Sequence, residues 1–241
     1  MSLKIGVLTP HAAPGPEVEL PEMAPGLDVV LARISQGVDP TPWPPSAAAD
    51  LRALTVPSTL QQAITPLREA SVDAIAYAST TTAYAIGHVA EADLISRLRH
   101  GAGVPVVSSG LAAAQALKTF GVRRVALIHP PWFEDEMGEL GAAYFRAQGI
   151  DAVTLTATPL PKNPAQVRPQ HVIDWVTHQE VDAEAVFIAG NGFRAVGAID
   201  ELERRTGQLV LEANQVLLWS VLAATGSALP VEGYGRLFAR T

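Results

Sequence analysis

The stretch from Asp73 to Gly87, DAIAYASTTTAYAIG, reads as a short apolar strand that runs straight into four hydroxyl residues, Ser79, Thr80, Thr81 and Thr82. An unbroken apolar run of this length suits a strand buried on both faces, as in a parallel sheet, and a helix is expected to start just after it. The hydroxyls and the neighbouring N–H groups then stand at the carboxyl edge of that sheet. Ligands of open α/β sheets bind at this edge, and a helix start there favours a carboxylate or phosphate. The turn is therefore expected to form half of an anion site.

Outward from this stretch, the same grammar occurs twice. KIGVLTP (4–10) is echoed by VRRVALIHP (122–130), LDVVLARI (27–34) by IDAVTLTA (150–157), VDAIAYAS (72–79) by AEAVFIAGN (183–191), and GVPVVSSG (103–110) by GQLVLEAN (207–214). Four strand types in one order, repeated at roughly 100 to 120 residues, are what two copies of one α/β unit produce. The predicted fold is thus α/β, with two lobes related by a pseudo-twofold axis. Each lobe carries a four-stranded, mostly parallel sheet flanked by helices, and a ligand cleft lies between them. The N-terminal lobe is expected to cover residues 1–114 and the second 115–241, with the terminal helices able to pack back on the first. Residues 11–25 read as a proline- and acid-rich loop. The stretch 39–46, with Pro40, Pro42, Pro44 and Pro45 around Trp43, cannot be helical and reads as a rigid surface loop or a flap over the site.

Composition narrows the function classes. A chain of 241 residues with 48% hydrophobic and 17% charged residues can bury a proper core. Its net charge of −7 argues against nucleic-acid and anionic-membrane partners. A small anionic ligand remains compatible, because a few local N–H groups outweigh a diffuse surface charge screened over about 10 Å. Self-association into a homo-oligomer is left open. The absence of cysteine removes disulfides, thiolate metal sites and thiol nucleophiles together. MSLKIGVLTP leads directly into a strand, and no run reaches the ~18 apolar residues of a membrane span, so a cytoplasmic protein is expected.

By the repeat, Ser79-Thr80-Thr81 in the first half corresponds to Gly190-Asn191-Gly192 in the second, and a small carboxylate is expected to bind between them. Glycine permits close backbone approach, and the Asn191 amide can both donate and accept. His11 and His129 follow the first strand of each half, are expected to be related by the repeat, and are candidate acids because their pKa suits proton transfer near neutrality. Tyr84 is a further candidate acid, with core packing as its other reading. Ser79 is either a chemical group or a helix cap. Arg194 lies close enough to the second turn to reach a carboxylate, with a structural ion pair as the equal alternative. No His/Asp/Glu spacing matches a metal site and no glycine-rich phosphate loop is present, so neither metal nor cofactor is expected.

Pro10, the Ser79 turn, VPVV (104–107), VRRVALI (122–128), IDELERR (199–205), Asn214-Gln215 with Trp219, and the closing GYGRLF (233–238) together resemble the aspartate/glutamate racemase superfamily. The branch of arylmalonate decarboxylase and maleate cis-trans isomerase is the most similar. In that superfamily a cysteine follows each central strand and the pair transfers protons on opposite faces of a carboxylate substrate; the decarboxylase keeps only the second. The resemblance puts these two positions at Ser79 and Gly190. It also implies that Pro10, Thr80 and Thr81 line the pocket, and that Arg194 stands where the isomerase branch carries arginine. The branch's tyrosine after the first strand of the second half falls near Pro131-Trp132. Serine without an activating base is too weak an acid to replace the thiol, and Gly190 offers no group at all. Three readings follow: a cofactor-independent lyase acting on a malonate-like carboxylate, an acid–base isomerase using His11 or His129, or a carboxylate-binding protein without catalysis.

Overall fold

Unbroken burial from Ile5 to Thr9 suits β1 (Lys4–Thr9) to a central place in the first sheet. It pairs in parallel with β2 (Asp28–Arg33) on one side and β3 (Ala74–Tyr77) on the other, and β4 (Val106–Ser108) completes the order β2-β1-β3-β4. The second sheet repeats this order, β6-β5-β7-β8, with β5 (Arg124–His129), β6 (Asp151–Thr156), β7 (Ala185–Ile188) and β8 (Leu209–Glu212). Every pairing is parallel, and Leu8 beside Tyr77 matches Ile128 beside Ile188. The computed structural model describes residues 3–34 and 47–240, so the proline-rich stretch around Trp43 lies outside the described residues.

Ten helices are described. These are α1 (Pro16–Met23), α2 (Ala48–Ala53), α3 (Pro57–Glu69), α4 (Thr80–Ile86), α5 (His88–Ala102), α6 (Ser109–Thr119), α7 (Asp135–Arg146), α8 (Pro169–Thr177), α9 (Ile199–Thr206) and α10 (Ala213–Thr225). None is long and apolar enough to cross a membrane. The expected loop over 11–25 instead contains α1. Pro16 occupies the first helical position, where a missing N–H costs nothing, and the Gly15 carbonyl accepts from Val18 and Glu19 at 3.0 Å each. Pro21 removes one further bond, but burial of Leu20 and Met23 holds the short helix in place.

Two helices join the lobes. Ala112, Ala113, Ala116 and Leu117 of α6 are buried with Val125, Leu127, Phe187 and Leu211 of the second sheet. Conversely, Leu217, Leu218 and Val221 of α10 are buried with Val7, Ala76 and Val107 of the first, and α10 packs on β3, β4 and α6. Each lobe thus contributes a helix to the other's core, and residue 114 falls inside α6 rather than in a linker.

A buried carboxylate also bridges the lobes. Glu91 of α5 is 1% exposed, accepts a hydrogen bond from the Tyr144 hydroxyl of α7, and faces the start of α6 at Gly110 and Leu111. Burial pushes its carboxyl up to about 7. Below the unfolded value of about 4.3 the group is protonated in both states. Above it the unfolded chain loses the proton first, so the stability associated with protonated Glu91 is lost as pH rises from there to about 7. Glu91→Gln, which stays neutral, is expected to lessen the fall in denaturant-derived stability between pH 5 and pH 7.5; an unchanged slope would remove Glu91 as its source.

Candidate active site

Five segments meet where the carboxyl ends of the two sheets approach each other: those following β1, β3, β5, β6 and β7. In each sheet the central pair is the point at which strand order reverses, the usual place for a ligand crevice. The resulting cleft is narrow, with a cavity volume of about 30 Å³, and its lining is of two unlike kinds. His11, Thr81 and the 190–192 turn form a polar end, whereas Trp132, Phe133, Met137 and Pro164 form an apolar wall.

Ser79 sits at the helix boundary with extended backbone, and its Oγ accepts the Thr82 N–H at 3.1 Å, capping α4. The three threonines are therefore the first turn of a helix that stops at Gly87, where φ is 79°. The same Oγ lies 3.1 Å from His11 Nε2 and 3.2 Å from Thr81 Oγ1, and Thr81 Oγ1 is 3.1 Å from His11 Nε2. Imidazole and two hydroxyls thus form a closed triangle, with His11 and Thr81 facing the cleft. Arg33 holds the histidine's loop by donating to the His11 carbonyl while pairing with Glu17 at 2.8 Å. Burial, followed by the Arg33 charge, lowers the His11 pKa to about 4, so the imidazole is neutral at pH 7. Its Nδ1 has no hydrogen-bond partner among the described residues.

Thr80 and Asn191 hold the lobes together directly. The Gly190 N–H donates to Thr80 Oγ1 at 3.0 Å, and the Thr80 N–H donates to Asn191 Oδ1 at 3.1 Å. Asn191 Nδ2 donates to Ser109 Oγ at 2.9 Å and to Asn214 Oδ1 at 2.8 Å, which commits both amide hydrogens. Asn191 is 2% exposed and Thr80 1%, so these polar groups bond across the lobe interface. Thr80→Val keeps the shape but strands a buried N–H, and is expected to cost about 1 to 3 kcal/mol of stability in urea denaturation. Stability within a few tenths of wild type would show that the bond contributes nothing net.

The close approach continues on the loop before α1. A Cβ added to Gly15 would overlap the Asn191 carbonyl, so only glycine lets residues 11–15 lie across the 190–192 turn. Sequence reasoning missed Ser109 and Glu19 as partners of this network; Glu19 was hidden in a stretch whose prolines suggested a loop. Asn214 was visible as part of the Asn-Gln motif, but without a role.

The remaining candidates are dispersed. His129 is fully buried, stacks on Phe133 with ring centres 5.3 Å apart and meets Tyr84 edge-on at 5.9 Å. Neither ring nitrogen has a hydrogen-bond partner among the described residues, and burial lowers its pKa to about 4. Strand register corrects the supposed relation between the two histidines. His129 is the last residue of β5 and corresponds to Thr9, whereas His11 lies two residues beyond β1 and corresponds to Pro131. Tyr84 is buried against Tyr144 and Phe145, and burial, then Glu91, raises its hydroxyl well above the usual range. Pro10 is buried behind His11 in sequence. Arg194, with φ of 56°, acts electrostatically on Glu19, and its Nε has no hydrogen-bond partner among the described residues. Among the described residues, no group of three or more His, Asp or Glu could hold a metal ion.

Comparison with known proteins gives this geometry a family. The family described as arylmalonate decarboxylase matches residues 54–238. Arylmalonate decarboxylase of Bordetella bronchiseptica is 25% identical over 182 residues, covering 71% of this chain and 73% of that protein. A crystal structure of arylmalonate decarboxylase superposes with a TM-score of 0.80 at 20% identity, covering 99% of this chain and 100% of the other. Maleate isomerase Iso from Pseudomonas putida S16 gives a TM-score of 0.83 at 20% identity, covering 98% and 97%. The Nocardia farcinica maleate cis-trans isomerase gives 0.77 at 20% identity, covering 99% and 98%. At those identities the structural likeness carries the fold, while the sequence match over most of the length carries the kinship: this chain belongs to the arylmalonate decarboxylase family.

Proposed function

We propose that this protein is a cofactor-independent lyase that decarboxylates a malonate-type dicarboxylate bearing an apolar substituent, with His11 as the proton donor. The observation that carries this reading is the triangle of His11, Ser79 and Thr81 at the polar end of an otherwise apolar cleft, in a chain without cysteine. The apolar wall of Trp132, Phe133 and Met137 desolvates one carboxylate, which favours its departure as carbon dioxide. The C–C bond breaks, and its electron pair passes to the α-carbon and the retained carboxylate as an enediolate. Thr81 and the 190–192 turn hold that developing charge. His11 then delivers a proton to the α-carbon and recovers one from solvent.

A neutral imidazole cannot do this readily, but the free site is not the reacting one. Two substrate carboxylates beside His11 favour imidazolium over imidazole, and so raise its pKa from about 4 toward the working range. Substrate binding at pH 7 is therefore expected to take up a measurable fraction of a proton, read by calorimetry in buffers of different ionisation enthalpy. The function itself is tested by carbon dioxide release from a panel of substituted malonates. Release with proton uptake supports the lyase. Deuterium exchange into a carbon acid without carbon dioxide would favour the isomerase reading, in which neutral His11 acts as a base; binding with neither would favour a carboxylate-binding protein.

A further inference from the structure

The 190–192 wall of the cleft is not held by its own lobe alone. Glu19, on α1 of the first lobe, is 2% exposed and reaches across to the second. Its Oε2 accepts from Asn214 Nδ2 at 2.6 Å, and its Oε1 accepts from the Val196 N–H at 3.1 Å. Asn214 Nδ2 also donates to the Asn191 carbonyl at 2.9 Å, while Asn214 Oδ1 accepts from Asn191 Nδ2 at 2.8 Å. Asn214 therefore grips Asn191 by both its main chain and its side chain. Glu19 fixes which way the Asn214 amide faces, because a flipped amide would turn an oxygen toward the carboxylate.

We propose that Glu19 is a positioning residue that, acting through Asn214, sets the 190–192 wall of the substrate cleft. As a determinant of turnover it rests on the lyase reading; as a determinant of the wall it does not. Both of its oxygens face N–H donors, so the ionised carboxylate fits its partners and the acid does not. Burial nevertheless pushes its carboxyl up to about 7. The groups that act on it are Glu22 of α1, Glu212 at the end of β8 and Arg194 after β7, and Tyr234 near the C-terminus feels its charge in turn. Glu212 is raised well above the ordinary range, first by burial and then by Glu19, and its Oε1 has no hydrogen-bond partner among the described residues. Glu212 accordingly keeps the proton and Glu19 the charge, since two such carboxylates do not ionise together.

The experiment compares wild type, Glu19→Gln and Glu19→Asp by side-chain and backbone amide NMR of Asn191 and Gly192, alongside kcat and KM on substituted malonates. Glutamine must turn an NH2 toward one of two donors, so the Asn191 and Gly192 resonances are expected to move, with kcat falling about tenfold or more and KM changing little. Aspartate keeps two acceptor oxygens and should recover part of the loss. In wild type the resonances should titrate near pH 7 and kcat should rise with them on the acid side; in Glu19→Gln the resonances should be flat and that rise absent, leaving only the alkaline fall in kcat from deprotonation of His11. If Glu19→Gln does not fold, the wild-type titration and Glu19→Asp decide the matter. Resonances that neither titrate nor move in the variants overturn the proposal, as does unchanged kcat in Glu19→Gln of an active enzyme. Resonances that respond in a protein inactive on every malonate would retain the positioning of the wall and remove the lyase reading alone.

Discussion

His11→Gln is expected to lower kcat on a substituted malonate by about 10²- to 10⁴-fold, the usual contribution of a positioned proton donor. Glutamine can still bond the Ser79 and Thr81 hydroxyls, so the melting temperature should remain near that of wild type and KM should change little. The effect then lies in proton delivery rather than in assembly of the pocket. A variant that keeps a tenth or more of wild-type kcat would remove His11 from the chemistry. Proton uptake on binding provides a second reading of the same residue, because it should vanish in this variant.

The second large effect concerns Gly190, the position where the superfamily resemblance places a thiol. Gly190→Cys is expected to destabilise the protein by about 2 to 4 kcal/mol, combining left-handed backbone with overpacking. The backbone there has φ of 93°, and an added Cβ would come within 3.0 Å of Pro130 Cγ and 3.6 Å of Phe133 Cζ. Ser79→Cys differs in every respect. Its φ of −160° suits any side chain, and the sulfur would stand beside His11 Nε2, a neighbour able to lower a thiol pKa. Urea denaturation of the two variants should separate them clearly, with Ser79→Cys the closer to wild type. Equal stability would mean that Pro130 yields freely and that the glycine is not structurally required.

The parts of the molecule governed by period and burial were legible in the sequence. The apolar runs that became β1, β3, β5 and β7 have no polar face to misread, and their repetition fixed two sheets of one order before any contact was known. The mostly parallel pairing expected of each sheet is wholly parallel, as strands buried on both faces favour. The helix α1 was not legible, because Pro16 and Pro21 argue against a helix locally and only the burial of Leu20 and Met23 decides for it. The phase of His129 could have been read from its motif: aligning Pro10 with Pro130 already sets His129 against Thr9.

The site was legible in outline only. That residues 79–81 and 190–192 would meet followed from the repeat, but which groups would be free did not. Thr80 and Asn191 are polar residues at a cleft edge, and sequence cannot reveal that each is committed to the opposite lobe. Nor can it reveal that His11, two residues past a strand, folds back onto both Ser79 and Thr81. Those facts depend on how the lobes pack, and the packing rests on residues as distant as Glu19 and Asn214.

The central claim is that a single histidine, acting from one side of the cleft, replaces the missing thiol. It is tested most directly by chiral analysis of the product formed from a prochiral α-methyl-α-aryl malonate in deuterium oxide. The account predicts a monoacid carrying one deuterium at the α-carbon, formed as one enantiomer by wild type and reduced to a trace by His11→Gln. Racemic deuterated product, or single-enantiomer product whose yield is unaffected by His11→Gln, would contradict it.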